Sequence, residues 1–155
     1  MPPRLLPIPH LPQRYDTDCP AACAAMVLSA AGYAVAYDRL MATLQVADWG
    51  APFNRLSRLS QLFAGLNITI AQGHPGNLRG SLATGVAPIL SVYTAELPYW
   101  NKAAYHAVVL VGESDGSCYL NDPAFPNAPQ IVTWGDLDLA WLETDTTYAL
   151  LRRAR

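Results

Sequence analysis

Four side chains are of the types, and at the spacing, that nucleophilic acyl transfer requires: Gln13, Cys19, His106 and Asp122. Cys19 stands just before Pro20 and the Ala-rich run AACAAMVLSAA, which reads as a helix stopped by Gly32. At a helix start the unpaired backbone N–H groups and the dipole favour an anion, and the thiolate is the nucleophilic form of cysteine. The plainer reading of such a residue is a small buried hydrophobe. His106 opens the apolar strand HAVVLVG, where a histidine read alone is a structural residue. The following Ser114–Gly116 segment (SDG) changes that reading, because it predicts a hairpin. With a three-residue loop, Glu113 pairs with Ser117 and His106 falls opposite Ala124. Asp122 is then a diagonal neighbour on the same strand face, within reach of the imidazole. An orienting carboxylate on the second ring nitrogen is what a general-base histidine needs. Asn121 replaces Asp122 in that role if the register slips by one residue. Gln13, six residues before Cys19, carries an amide that can donate to the oxyanion of a tetrahedral intermediate, beside the backbone N–H of Cys19. Read alone, it is a solvated polar residue.

These residues need elements to hold them. The opening MPPRLLPIPHLPQ contains five prolines, so residues 1–12 form an arm that is extended from Pro2 to Pro12. After the first helix, Asp38 is placed to cap a second through about Gln45. Asn54 caps a third, with Leu56, Leu59, Leu62, Phe63 and Leu66 on one face and Gly65 near its end. The second half is rich in β-branched and aromatic residues. It predicts strands over Asn67–Gln72, Val86–Thr94, His106–Gly112, Ser117–Asn121, Gln130–Trp134 and Thr147–Leu151. One or two helical turns fit within Asn77–Gly85, and a short helix fits Asp136–Leu142. Helices first and strands later give an α+β class.

Composition narrows the function. The 155 residues suit one domain, and 52% apolar against 14% charged residues excludes intrinsic disorder. A net charge of −2 offers no electrostatic footprint for nucleic acid. No apolar run approaches the roughly 20 residues of a membrane span, and the Pro-rich start is not a secretory signal. Three cysteines do not make a disulfide scaffold. The expectation is a cytoplasmic domain of undetermined oligomeric state. Cys23, one turn beyond Cys19, reads as core rather than as a resolving thiol, and Cys118 as a buried strand residue. A zinc set from Cys19, Cys23, His106 and Asp122 is chemically complete but loosely spaced, so no metal and no organic cofactor are assigned. His10 and His74 read as surface residues, and Arg152, Arg153 and Arg155 as a solvated tail. Tyr93, Tyr99, Trp100 and Tyr105 surround the loop entering the His106 strand. Tyr99, Trp100 and Tyr105 either line a substrate groove or cap the sheet edge.

Together, Gln13-x5-Cys19 with its AAMVL helix, GVAPILSVY, HAVVLVG, the hairpin ending NDPA and the segment from Trp134 to Trp141 resemble a peptidase C39-like cysteine protease of papain fold. The resemblance runs from Gln13 to about Leu151. It implies a helical lobe packed on a C-terminal antiparallel sheet, and a peptide or protein substrate. It also implies Cys19 as nucleophile, His106 as base and acid, Asp122 as orienter and Gln13 as oxyanion donor. The function it implies is peptide-bond hydrolysis, with leader or precursor peptides among the substrates. A transamidase or acyltransferase using the same residues, and a non-catalytic peptide-binding module, are the alternatives. Two departures stand out. Pro20 replaces the glycine common after the cysteine, which biases Cys19 toward extended geometry. Many relatives belong to peptide-exporting transporters, whereas this sequence has neither a membrane segment nor a GxxxxGK[ST] motif, so a double-glycine preference is not inherited.

Overall fold

A computed structural model describes residues 3–154. Pro2 of the arm and Arg155 of the basic tail lie outside the described residues. A short strand β1 (Arg4–Leu5) leads into helices α1 (Cys19–Ala30) and α2 (Tyr37–Leu44) and a 3₁₀ helix (Phe53–Gln61). Then follow β2 (Leu66–Gln72), α3 (Pro75–Ala83), β3 (Ile89–Tyr93), β4 (Tyr105–Ser114), β5 (Ser117–Asn121), β6 (Gln130–Thr133), α4 (Trp134–Leu142) and β7 (Thr147–Arg153). A short 3₁₀ turn, Thr94–Glu96, follows β3. The strands form one antiparallel sheet in the order β2-β7-β3-β4-β5-β6, with β1 added beside the far end of β4. This is the expected α+β class.

The period-2 alternation of β4 divides the core between two sheet faces. Ala107, Val109 and Val111 pack with Ile89, Ala149 and Leu151 against α1, α2 and the 3₁₀ helix. Val108 and Leu110 pack on the other side with Leu90, Leu120 and Leu150 against Leu78 of α3 and Leu137, Ala140 and Trp141 of α4. Helix α1 is buried from Cys19 to Leu28. A helix apolar on every side belongs inside, and its small alanines permit close approach to the sheet. Each large side chain it buries, such as Met26 or Leu28, contributes roughly 1.5–3 kcal/mol.

Several local expectations give way. Cys19 is already the first residue of α1, so helix geometry overrides the extended bias imposed by Pro20. Asp38 does not cap α2: Ala36 holds the cap position, and Asp38 lies in the first turn, bound to Arg14 at 2.6 Å. The third helix is 3₁₀, not α, with Pro52 rather than Asn54 at its cap. Its buried Leu56 and Leu59 are three apart, the spacing that 3₁₀ geometry stacks on one face, while Leu66 has passed into β2. Helix α3 is longer than expected and starts at Pro75, because His74 caps it by accepting from the Gly76 N–H.

The hairpin loop has two residues, not three, so Ser114 pairs with Ser117. Asp115 and Gly116 both have positive φ, 50° and 82°, as a type I′ turn requires. The register near the turn is therefore one residue away from that expected. A bulge between Leu110 and Gly112 removes the offset, and Val109 pairs with Asn121, as the sequence reading required. The bulge lies where the arm docks. Leu6 N–H donates to Val111 O at 2.8 Å, and a Cβ on Gly112 would stand 2.8 Å from Arg4 O, so only glycine fits there.

Candidate active site

The N-terminus of α1, the start of β4 and the turn after β5 meet at one end of the sheet. α1 brings Cys19 there, 9% exposed. β4 brings His106, which pairs with Val92 across β3 and is 7% exposed. Asp122, the residue after β5, is fully buried. Nε2 of His106 donates to Oδ1 of Asp122 at 2.7 Å, so the expected diagonal pair forms and Asn121 does not replace Asp122. Instead, Asn121 donates its side-chain amide to Ile8 O of the arm at 3.2 Å. With Nε2 held by Asp122, Nδ1 is the other ring nitrogen of His106 and makes no hydrogen bond among the described residues.

Asp122 accepts from four donors. Oδ1 takes His106 and the Ala124 N–H at 2.9 Å; Oδ2 takes the Tyr99 hydroxyl at 2.8 Å and the Trp100 indole N–H at 2.9 Å. Sequence reasoning assigned Tyr99 and Trp100 to a groove or a sheet edge and missed this role. Their polar atoms hold the Asp122 carboxylate, while Trp100 meets the His106 ring edge-on at 4.9 Å and Phe125 at 5.0 Å. Only the indole and phenol donors themselves hinted at it, since buried Trp and Tyr need acceptors. Tyr105 is 72% exposed, its ring tilted against that of Tyr93 at 5.1 Å. His10 was also misread: it is not a free surface residue, because its Nε2 bonds to the Asp122 carbonyl at 2.9 Å.

Burial pushes the His106 imidazole down, but the hydrogen bond to Asp122 and the neighbouring Cys19, with the charges of both, more than reverse this and raise it to about 9. Burial also opposes the charge on Asp122. The imidazole, the Ala124 N–H and the Trp100 N–H outweigh it and hold the carboxyl below its ordinary value. Cys23 is fully buried, and burial, followed by the charges of Cys19 and Asp122, pushes its thiol well up. Cys118 is pushed up to about 12 by burial and by Glu113. Among the described residues, no group of three or more His, Cys, Asp or Glu side chains is arranged to hold a metal ion.

Gln13 lies beside the same turn, its backbone N–H donating to Pro123 O at 2.9 Å. One N–H of its side-chain amide donates to Tyr15 O at 2.6 Å, and its Oε1 is buried without a partner. A concavity of about 280 Å³ opens between Gln13 and the Pro123–Pro126 segment. Another, of about 530 Å³, opens between Tyr15–Thr17 and the Met41, Val46 and Asp48 side. No helix among the described residues is long and apolar enough to cross a membrane.

Known structures share this architecture at low identity. A Bacillus anthracis protein assigned as a C39-like peptidase superposes with a TM-score of 0.80 at 18% identity, covering 100% of both chains. A double glycine motif protease from an AMS/PCAT transporter, solved in complex with the leader peptide, gives 0.74 at 20% identity over 97% of this chain and 94% of that one. The peptidase domain of Streptococcus ComA, a bi-functional ABC transporter involved in a quorum sensing pathway, gives 0.74 at 15% identity, covering 94% and 97%. No curated protein matches the chain. The model of the Peptidase C39 like family matches residues 5–149, nearly the whole sequence, and the chain belongs to that family.

Proposed function

We propose that this protein is a cysteine peptidase using Cys19, His106 and Asp122, with Gln13 as oxyanion donor. The observation that carries the reading is the buried His106–Asp122 pair at 2.7 Å, set against a cysteine at the first position of α1. The Cys19 thiolate attacks the substrate carbonyl carbon, and the resulting oxyanion meets the Cys19 N–H and the free N–H of the Gln13 amide. His106, protonated, gives its Nδ1 proton to the leaving amine, which departs as the C–N bond breaks. Water then enters; His106 takes its proton, the thioester opens, and the acid product leaves. Asp122 holds the ring by Nε2 throughout. The double glycine protease holding its leader peptide makes leader or precursor peptides the substrate class to test first.

The decisive assay incubates the protein with a synthetic peptide library and reads products by mass spectrometry, with and without an added amine. Products carrying a new carboxyl group support hydrolysis; amine adducts alone indicate a transferase. An inert library with an unreactive Cys19 indicates a binding module. The pH profile gives a further prediction. Leaving-group protonation needs the imidazolium, so kcat/KM falls as pH rises through about 9. Stability follows the same sign. The folded His106 value lies above its ordinary 6.5, so the contribution of the charged pair is complete below 6.5 and lost as pH rises through about 9. An alkaline limb near 6.5 contradicts this prediction.

A further inference from the structure

Asp18 directly precedes Cys19 and is completely buried. It occupies the N-cap position of α1, yet its side chain makes no capping hydrogen bond to that helix. The carboxylate turns back along the chain. Oδ2 accepts the Arg14 N–H at 2.8 Å and the Tyr37 hydroxyl at 2.5 Å; Oδ1 accepts the Tyr15 N–H at 2.8 Å. Tyr15, fixed in this way, presents the carbonyl that takes the Gln13 amide at 2.6 Å. Residues 13–18 are thus a loop closed by Asp18, with the oxyanion donor at one end and the nucleophile just past the other. The Arg14 guanidinium lies over the Tyr37 ring at 4.5 Å and reaches Asp38, bracing the loop from outside.

Two features are unusual for a loop with no part in the reaction. An aspartate at the N-cap ordinarily caps its own helix, and Asp18 does not. The Gln13 Oε1 is buried with no partner. Both follow if the loop exists to hold the Gln13 amide in place and aim its remaining N–H.

We propose that Asp18 is a positioning residue for acyl transfer, acting through the Gln13 amide and not through Cys19 or His106. The proposal rests on the reading of Cys19 as nucleophile and Gln13 as oxyanion donor.

Two reagents separate these roles without a natural substrate. Iodoacetamide alkylates a thiolate by displacement of iodide at carbon and forms no oxyanion. p-Nitrophenyl acetate acylates it: the S–C bond forms, the carbonyl oxygen becomes an oxyanion, and p-nitrophenolate leaves as the C–O bond breaks. Loss of one oxyanion donor costs roughly 10²–10³-fold. Asp18→Asn is expected to slow the acylation burst at least about tenfold on that scale, while alkylation of Cys19 keeps its rate and pH profile. Gln13→Ala gives the same pattern, and the double variant is no slower than Gln13→Ala alone. Tyr37→Phe, which removes one of the three hydrogen bonds to Asp18, shifts the ratio of the two rates partway in the same direction. Equal slowing with both reagents, or multiplicative effects of Asp18→Asn and Gln13→Ala, overturns the proposal. If Asp18→Asn does not fold, an unchanged ratio in Tyr37→Phe overturns it. A wild-type protein that acylates normally but cleaves no peptide removes the peptidase reading and leaves the role of Asp18 to be judged by the ratio. A wild-type Cys19 that acylates no faster than free cysteine removes both.

Discussion

Replacement of Cys19 by alanine is expected to abolish peptide hydrolysis, a loss of at least about 10⁴-fold, while the protein stays folded. The size of the loss follows from the role: no other described thiol can take over. Cys23 and Cys118 are both fully buried and their thiols are pushed up, so neither is exposed to a substrate as a thiolate. The fold survives because alanine is the best helix former and α1 is already alanine-rich. The lost sulfur packing costs on the order of 1 kcal/mol. Steady-state rates beside a thermal melt check both halves, and a rate within tenfold of wild type contradicts the nucleophile assignment.

Asp122→Ala is expected to damage both stability and activity. It removes the shared acceptor of His106, Tyr99, Trp100 and Ala124, leaving four donors facing a cavity. Breaking a buried charged pair from one side costs about 3–5 kcal/mol. At about 2–4 °C per kcal/mol for a chain near this size, the melting midpoint falls by roughly 10 °C. Hydrolysis falls by about 10⁴-fold, because the imidazole loses the partner that fixes its tautomer and orientation. Asp122→Asn keeps the shape but turns its amide NH₂ toward two of the four donors, so its turnover is lost with a smaller melting shift than in Asp122→Ala. Acid acts on the same carboxylate. Its folded value is depressed, so its contribution is present above its ordinary 3.8 and lost as pH falls through the depressed value. Calorimetry of both variants tests this prediction; an unchanged midpoint in Asp122→Ala contradicts it.

The site was legible wherever it rests on local pattern. The Ala-rich helix placed Cys19 at its start, and a hairpin between two β-rich runs brought His106 to Asp122. The route to that second result was partly wrong. The turn is one residue shorter than the SDG reading implied, and the bulge opposite the arm restored the pairing of Val109 with Asn121. That bulge lies where Leu5 meets Gly112 and Leu6 bonds to Val111, across more than a hundred residues, which no local pattern records. The same limit hid His10, Tyr99 and Trp100, whose partner is a single residue distant in sequence. Asp18 escaped for a different reason. An Asp before a helix reads as a cap, and the sequence does not reveal that its carboxylate serves the preceding loop.

The central claim is that Cys19 and His106 form a reactive pair, and the pH dependence of Cys19 alkylation by iodoacetamide tests it most directly. Wild type, His106→Ala and Cys23→Ser are compared. The account predicts alkylation at Cys19 that persists well below the free-cysteine range of about 8.5, is unaffected by Cys23→Ser, and is strongly reduced by His106→Ala at neutral pH. An ordinary thiol profile that is the same with and without His106 would contradict it.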